Sequence, residues 1–252
     1  MVRTRRSSQT PASQSDAIVL AGGLGTRLST VLSDVPKVLA PVAGRAFLEY
    51  LLVLLRTQGF RDLTLAVGHM AGQVQAAFGA GRSLGLHLRY SREDEPLGTG
   101  GALRLALDLT HSGNIIALNG YPYFAVYFTQ LAYFHIRYQA VATVALARVA
   151  ECARYGAVSV DEGCRITAFR EKGETGSSII NGGVYVFARG TIEHIPPSRR
   201  VSLEQETLPA LVGHGLYGAV FDEYFTDIGT PEAYAEACRN PGRLISSVAG
   251  GH

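Results

Sequence analysis

Apolar and polar residues alternate along the first half of the chain in a way that predicts strands and helices in turn. Short apolar runs predict four buried strands, at residues 17–20, 63–67, 86–90 and 115–118. Apolar residues at helical spacing predict three helices, at residues 47–58, 72–78 and 102–109. Gly59 follows the first of these helices as a candidate C′ glycine.

The second half of the chain is richer in strands. The pattern predicts four more strands, at residues 142–149, 156–160, 166–169 and 183–187, and a closing helix at 231–238. Because parallel neighbours need helical crossovers, we predict an α/β fold of the Rossmann-like kind, with a mostly parallel mixed sheet covered by helices. We expect one domain over residues 16–240, a flexible N-terminal tail at 1–15 and a C-terminal tail at 241–252.

Composition excludes several classes of protein. The 252 residues, 47% of them hydrophobic, are enough for one domain with a sizeable core. With 23 Lys and Arg against 21 Asp and Glu, the net charge of +2 provides no basic field, so we expect no nucleic-acid partner. No apolar run is long enough to span a bilayer, so we also expect no membrane partner. The three cysteines lack disulfide or zinc spacing, which favours a reducing, cytoplasmic location.

The first candidate site is the glycine-rich segment LAGGLGTRL that follows the first predicted strand. Glycines let a backbone approach a polyphosphate and direct its N–H groups at it, and an arginine adds a fixed fork for phosphate oxygens. A plain tight turn is an equal alternative on the glycines alone. The pattern is neither a dinucleotide-binding G-x-G-x-x-G nor a Walker loop, which disfavours a dehydrogenase-like protein. The candidate nucleotide-binding residues here are Leu20, Ala21, Gly22, Gly23, Gly25, Thr26 and Arg27.

Lys37 strengthens this interpretation. It lies between apolar residues in a segment constrained by Pro36 and Pro41. A lone lysine is usually solvated, but a cation that returns beside a phosphate loop adds charge for the same anion.

The spacing of AGGLGTRL and PKVLAPVAGR resembles that of the sugar-1-phosphate nucleotidyltransferases, enzymes that join a nucleoside triphosphate to a sugar phosphate and release pyrophosphate. Later motifs keep that family's order: EPLGTGGA at 95–102, EK at 171–172, NGG at 181–183 and DIGTPE at 227–232. Within the family, PLGTGGAL, RYGAV, VSLE and FTDIGTPEAY are most similar to the D-glycero-D-manno-heptose 1-phosphate guanylyltransferases.

The resemblance implies a nucleotidyltransferase fold, an enzymatic activity, GTP and a heptose 1-phosphate as ligands, and Mg²⁺ as the cofactor. It leaves a homo-oligomer open. The catalytic residues it implies are Arg27, Lys37 and Lys172. The further nucleotide-binding residues it implies are Glu95, Gly98, Thr99 and Gly100. The sugar-phosphate residues it implies are Asn119, Glu171, Lys172, Asn181 and Gly182. Asp227 is the implied metal ligand.

Each later motif also has an ordinary structural explanation. Glycines at 98–101 suit a planar base lying on the backbone, or equally a helix-entry turn with Thr99 near the cap. Residues 171–172 by themselves are typical of a solvated edge, and 181–183 of a β-bulge. A solvated turn explains the arginines at 199–200 better than substrate steering does. The seven histidines have no metal-ligand spacing, so we expect structural roles for them.

The chain departs from the family pattern at Tyr121. The family's first metal-binding aspartate would stand there, and no Asp or Glu occurs between Asp108 and Glu151 to replace it. A neutral phenol is a poor ligand for Mg²⁺, so we expect a weakened metal site on Asp227 alone. Three hypotheses stay open: a weakened enzyme, an inactive nucleotide-sugar binding relative, and a chain altered in this segment.

Overall fold

The structure is a computed structural model that describes residues 15–23, 35–152, 154–170, 176 and 178–249. The strands are β1 (Asp16–Leu20), β2 (Pro41–Val42), β3 (Arg45–Ala46), β4 (Asp62–Val67), β5 (His87–Arg92), β6 (Asn114–Asn119), β7 (Pro122–Phe124), β8 (Ala142–Val149), β9 (Val158–Val160), β10 (Ile166–Phe169), β11 (Ser178–Ala188), β12 (Leu216–Phe221) and β13 (Phe225–Asp227). The helices are α1 (Phe47–Thr57), α2 (Ala71–Phe78), α3 (Gly98–Ala106), α4 (Phe128–Arg137), α5 (Arg189–Glu193), α6 (Leu208–Ala210), α7 (Pro231–Arg239) and α8 (Gly242–Ala249).

Seven strands form a central sheet in the order β12-β8-β11-β6-β1-β4-β5. All neighbours are parallel except β11, which runs antiparallel to both β6 and β8. This arrangement confirms the predicted α/β fold with a mostly parallel mixed sheet. Short antiparallel pairs, β2–β3, β7–β13 and β9–β10, lie outside it.

Both faces of the sheet are buried, which explains why its strands are continuously apolar. Along β1, Ala17 and Val19 pack into one hydrophobic core, and Ile18 and Leu20 pack into the other. Side chains alternate between the faces of a strand, so these two cores lie on opposite sides of the sheet. Helix α1 belongs to the first core and α3 to the second.

Gly59 ends α1 as the sequence predicts. Its φ of 97° is in the left-handed region, and its N–H donates to Arg56 O at 3.0 Å. The Phe60 N–H donates to Leu55 O at 3.1 Å, which completes a Schellman motif. After this turn the chain enters β4, which pairs with β1 in the central sheet.

Each strand and helix that the pattern predicts is present, with shifted ends. The pattern missed α4 and also β12, a strand with a glycine at its centre. It also missed the short elements β2, β3, β7, β13, α5 and α6. The C-terminal tail expected at 241–252 needs correction, because 242–249 form α8, which packs on α1 through the fully buried Leu244. Within the described part of the chain, no helix combines the length and apolar character needed to cross a bilayer.

Candidate functional site

The candidate site lies where the carboxyl ends of β1 and β6 meet. The chain first builds β4 and β5 on one side of β1 and then crosses to β6 on the other, which leaves a crevice at this switch point. Described residues border two cavities there. The loop cavity, of about 460 Å³, is lined by Gly22, Gly23, Lys37 and Glu93 among others. The Asp227 cavity, of about 950 Å³, contains Arg154, Glu204 and Asp227, and three residues border both: Thr99, Asn119 and Tyr121.

Backbone contacts hold the start of the glycine-rich segment in place. The Ala21 N–H donates to Ala66 O at 2.7 Å, and the Gly120 N–H donates to Leu20 O at 2.9 Å. A Cβ on Gly22 would lie 3.0 Å from Gly68 N and from Glu93 Oε1, so a glycine here lets the chain after β1 pack tightly against the chain after β4. Leu20, Gly22 and Gly23 line the loop cavity. The remaining predicted residues of this segment lie outside the described residues: Gly25, Thr26 and Arg27.

Lys37 returns to the same cavity, as we expected. It begins a single 3₁₀ turn after Pro36, and the Leu39 N–H donates to Pro36 O at 2.7 Å to close that turn. The side chain is only 7% exposed and lines the loop cavity with Gly22 and Gly23. A positive group therefore lines the same cavity as the glycine backbone.

Tyr121 contacts Lys37 directly. The Lys37 Nζ lies 3.4 Å from the centroid of the Tyr121 ring, well within the range of a cation–π interaction. The ring stands at the wall between the two cavities. Tyr121 therefore places an aromatic face beside the ammonium, where the resemblance predicts a carboxylate.

Asp227 lies next to this position in space. Strand β13 pairs with β7 so that Asp227 faces Pro122, and the Ile228 N–H reaches Tyr121 O at 3.5 Å. The buried Oδ1 of Asp227 has no hydrogen-bond partner, as a metal-ligating oxygen would. Burial, and then the Asp227 carboxylate, raise the pKa of Tyr155 above its ordinary value.

These residues do not fit the two-carboxylate Mg²⁺ site that the resemblance implies. Asp227 offers one suitable oxygen, but Tyr121 offers a ring face that already contacts the positive charge of Lys37. A second cation at that face would be repelled by the ammonium. Among the described residues, no group of three or more His, Cys, Asp or Glu side chains is placed to hold a metal ion.

Glu93 is a site residue that the sequence analysis missed. Its Oε2 accepts the Leu97 N–H at 3.0 Å, and its side chain lies so close to Gly68 that a Cβ there would clash with it. Burial raises the pKa of Glu93, partly offset by that hydrogen bond. The predicted Glu95 is exposed and lines neither cavity.

The glycines at 98–101 form the first turn of α3, in agreement with the helix-entry alternative. A Cβ on Gly98 would lie 2.5 Å from Val201 O, and one on Gly101 would lie 2.6 Å from Arg199 O. Gly100 is buried against Val201 in the same way. Close packing of the segment before Glu204 thus accounts for these glycines, while Gly98 and Thr99 also line the loop cavity.

Glu204 is the most extensively hydrogen-bonded side chain of the site, and the sequence analysis did not select it. Its Oε1 accepts from Asn119 Nδ2 at 3.1 Å and from Tyr185 Oη at 3.3 Å, and its Oε2 accepts from Thr99 Oγ1 at 2.8 Å and from Ser202 Oγ at 3.3 Å. Complete burial, and then this carboxylate, raise the pKa of Tyr185 well above its ordinary value, so the phenol stays a donor. Glu204 lies on a π-helical turn, Leu203–Thr207.

The NGG segment at 181–183 forms a β-bulge, which is the structural explanation that the sequence offers for it. The pairing of β11 with β8 shifts register between Asn181 and Val184. A Cβ on Gly182 would lie 2.4 Å from the Phe124 ring, and Gly183 has a φ of 73°. Asn181 donates to Tyr185 Oη at 3.1 Å and borders the Asp227 cavity, as does Asn119.

Other candidates have less defined positions. Glu171 and Lys172 lie outside the described residues. Arg154 lines the Asp227 cavity and donates to Thr230 Oγ1 at 3.2 Å. Both arginines at 199–200 are exposed, which matches a solvated turn, and Arg200 borders the loop cavity.

Chemically, the two cavities can hold an anionic ligand and a polar ligand side by side. The loop cavity presents glycine backbone, Lys37 and Arg200 to an anion. The Asp227 cavity presents Arg154, Asn181 and Glu204, which suit phosphate and hydroxyl groups.

Comparison with known proteins agrees with this geometry. Residues 16–241 match the family model described as nucleotidyl transferase. The chain is 38% identical to the D-glycero-alpha-D-manno-heptose 1-phosphate guanylyltransferase of Aneurinibacillus thermoaerophilus over 88% of this chain and 96% of that protein. It is 37% identical to the mannose-1-phosphate guanylyltransferase of Mycobacterium tuberculosis, over 94% of this chain and 66% of that protein.

A solved structure is similar over almost its whole length. The crystal structure of HddC from Yersinia pseudotuberculosis complexed with GMP-PN superposes with a TM-score of 0.81 at 31% identity, covering 89% of this chain and 98% of that chain.

Proposed function

Because the chain belongs to the nucleotidyl transferase family, we propose that it transfers GMP from GTP to a sugar 1-phosphate, releasing pyrophosphate and forming a GDP-sugar. D-glycero-D-manno-heptose 1-phosphate is the favoured acceptor, since a relative that the chain covers almost completely is named for that substrate. A structural neighbour that binds a guanine nucleotide analogue supports the choice of GTP.

The observation that carries this proposal is the pair of adjoining cavities with a common wall. Thr99, Asn119 and Tyr121 border both, so ligands in the two cavities would meet at this wall. In the proposal the triphosphate occupies the loop cavity, and the sugar phosphate occupies the Asp227 cavity. Holding both ligands side by side converts a bimolecular reaction into an effectively unimolecular one.

In the proposed reaction, an oxygen of the sugar phosphate bonds to the α-phosphorus of GTP. The bond from that phosphorus to its β-bridging oxygen breaks, and pyrophosphate leaves with the electron pair. The attacking oxygen is already anionic, so no general base is required. The protein's part is to position both ligands and to offset negative charge with Lys37, Arg154 and, as the resemblance implies, Arg27 and Lys172.

Members of this family generally use a divalent metal ion, and Mg²⁺ is the ion that the resemblance implies. Asp227 is the one implied carboxylate ligand present in this chain, because Tyr121 occupies the other position.

The test is pyrophosphate release from GTP with heptose 1-phosphate, run beside mannose 1-phosphate and the other nucleoside triphosphates in buffer containing Mg²⁺. We expect release that requires both substrates and is fastest with GTP. Arg154→Gln should raise the KM for the sugar phosphate, while the matched change Arg148→Gln, on an exposed ion pair outside both cavities, should not. Two results would contradict the proposal: pyrophosphate release in the absence of a sugar phosphate, or no release with any combination of nucleoside triphosphate and sugar phosphate.

The contact of Lys37 with Tyr121 also favours a second candidate, a nucleotide-sugar binding protein without turnover. Under this hypothesis GTP binds but no pyrophosphate appears, and Tyr121→Asp creates or greatly raises activity. An unchanged rate in that variant counts against a metal role at position 121. A cytoplasmic location, the single-domain boundaries and a homo-oligomer stay predictions.

A further inference from the structure

The carboxylate of Glu204 holds together side chains from separate parts of the chain. Its Oε1 accepts from Asn119 on β6 and from Tyr185 on β11. Its Oε2 accepts from Thr99 on α3 and from Ser202, which caps the π-helical turn. Although a carboxylate in the Asp227 cavity suits a ligand hydroxyl, these four described donors already occupy the roughly four lone-pair sites of Glu204. The carboxylate is therefore engaged by the protein itself.

The side chains that Glu204 holds belong to the cavity walls. Thr99 and Asn119 border both cavities. Tyr185 accepts from Asn181 Nδ2 at 3.1 Å, so the network extends to a further residue of the Asp227 cavity. The family resemblance implies Thr99 for the nucleotide, and both asparagines for the sugar phosphate. Glu204 thus connects the two sets of implied ligand-binding residues at the place where the reacting groups would meet.

The turn that carries Glu204 is itself anchored on α3. The Gly100 N–H donates to Val201 O at 2.8 Å, and the Leu203 N–H donates to Thr99 Oγ1 at 2.8 Å. A Cβ on Gly100 would lie 3.0 Å from Val201 Cγ1, so the two segments pack closely. Side chains that are supported by regular elements and by further hydrogen bonds hold a site more precisely than side chains of loops. Glu204 is therefore placed firmly enough to fix the groups that donate to it.

We propose that Glu204 is a positioning residue for the transfer reaction: it holds Thr99 and Asn119 at the common wall and so sets how the two bound ligands face each other. This role rests on the proposed function, since it concerns the same two cavities. A misplacement of about 1 Å can lower a rate roughly 100-fold, even where each ligand keeps its own contacts. Loss of the carboxylate should therefore slow the reaction of bound ligands and leave their affinities nearly unchanged.

The experiment measures kcat and both KM values for pyrophosphate release by Glu204→Gln, and the dissociation constants of GTP and the sugar phosphate by calorimetry. The amide keeps the shape of the side chain but turns one acceptor into a donor that faces two other donors. We expect kcat to fall about 10- to 100-fold. The dissociation constants and KM values should stay within about threefold of those of the wild type.

Glu206→Gln is the matched control. It makes the same change of charge on the same turn, but Glu206 is exposed and lines neither cavity. Its Oε1 accepts the Ser202 N–H at 2.9 Å, a bond that the oxygen of a glutamine can also accept. This variant should keep the kcat of the wild type.

A second variant separates positioning from folding. Tyr185→Phe keeps the fully buried ring and removes one donor to Glu204 Oε1, so kcat should fall by a smaller factor, again without weaker binding of either ligand. Circular dichroism melting establishes that each variant is folded at the assay temperature. Should Glu204→Gln fail to fold, Tyr185→Phe decides the matter.

Two results would overturn the proposed role of Glu204 and leave the proposed function standing. Unchanged kcat in the folded variants would show that the carboxylate serves stability alone. Weaker binding of the sugar phosphate with unchanged kcat would show that Glu204 contacts this ligand directly. Absence of pyrophosphate release by the wild type is a different failure, because it overturns the proposed function and this role with it.

Discussion

The hydroxyl of Thr99 lies 2.8 Å from Glu204 Oε2 and donates a hydrogen bond to it, while accepting the Leu203 N–H at the same distance. These two bonds join the first turn of α3 to the π-helical turn Leu203–Thr207, across more than a hundred positions of the sequence. Both residues border the Asp227 cavity, and Thr99 also borders the loop cavity. The position of the wall between the cavities therefore depends on this contact.

Replacing this hydroxyl should damage both stability and binding. Thr99→Val keeps the shape of the side chain but leaves the Leu203 N–H without its acceptor and removes one of the two donors to Glu204 Oε2, which should cost about 1–3 kcal/mol in the free energy of unfolding. Urea denaturation measures this cost. Thr99→Ser, which keeps the hydroxyl, should lose less than half as much; an equal loss would show that the methyl group and not the hydroxyl matters.

Glycine at 182 is required by packing, not by conformation. A Cβ there would lie 2.4 Å from Phe124 and 2.9 Å from Ala145 O, so Gly182→Ala should destabilise the protein by about 1–3 kcal/mol through overpacking. The control is Gly72→Ala in α2, where a Cβ meets nothing within 4 Å. There the change should stabilise by about 0.5–1 kcal/mol through helix propensity. Thermal melting of both variants should shift in opposite directions.

Burial of His135 should make the protein sensitive to acid. Its ring is 3% exposed and hydrogen-bonds Thr143 at 2.9 Å, and burial lowers its pKa from 6.5 to about 4. The unfolded chain therefore binds a proton between these two values and the folded chain does not, so stability falls as the pH drops below 6.5. This contribution amounts to about 3 kcal/mol once the pH is near the lower value.

Urea unfolding across that pH range tests the prediction. His135→Gln should lose less stability on acidification than the wild type does, whatever its stability at neutral pH. His69→Gln, at an exposed ring, should follow the wild type. Parallel pH curves for wild type and His135→Gln would contradict the assignment.

Helix α8 should contribute to stability through one side chain. Leu244 is fully buried against the core that contains α1, whereas its neighbour Ile245 is 49% exposed. Leu244→Ala should cost about 2–5 kcal/mol, because it removes a buried side chain and leaves a cavity. Ile245→Ala should change the free energy of unfolding by less than about 0.5 kcal/mol. If both variants lost a similar amount of free energy of unfolding, the contribution of α8 would come from helix propensity and not from burial of Leu244.

Local patterns in the sequence were enough to predict the fold. Alternating strand and helix patterns follow from burial on both faces of a parallel sheet, and each such element occupies a short stretch of chain. The structure also places Gly22 and Gly23 directly after β1 and Lys37 in the same cavity, in agreement with the prediction from the residues that flank them. The β-bulge at 181–183 was predicted only as one of two explanations.

Several residues of the candidate site could be identified only from the tertiary structure. Glu204 reaches Asn119 and Thr99 across 85 and 105 positions, and no local pattern marks a pair so far apart. The role of Glu93 depends on Gly68 and Leu97, which lie beside it in the folded chain. Residue type alone does not distinguish Glu93 from the exposed Glu95 two positions later. The sequence alone determined that Tyr121 is not a carboxylate. Only the folded chain decided that its ring contacts Lys37, because that contact depends on the convergence of separate strands and turns at one edge of the sheet.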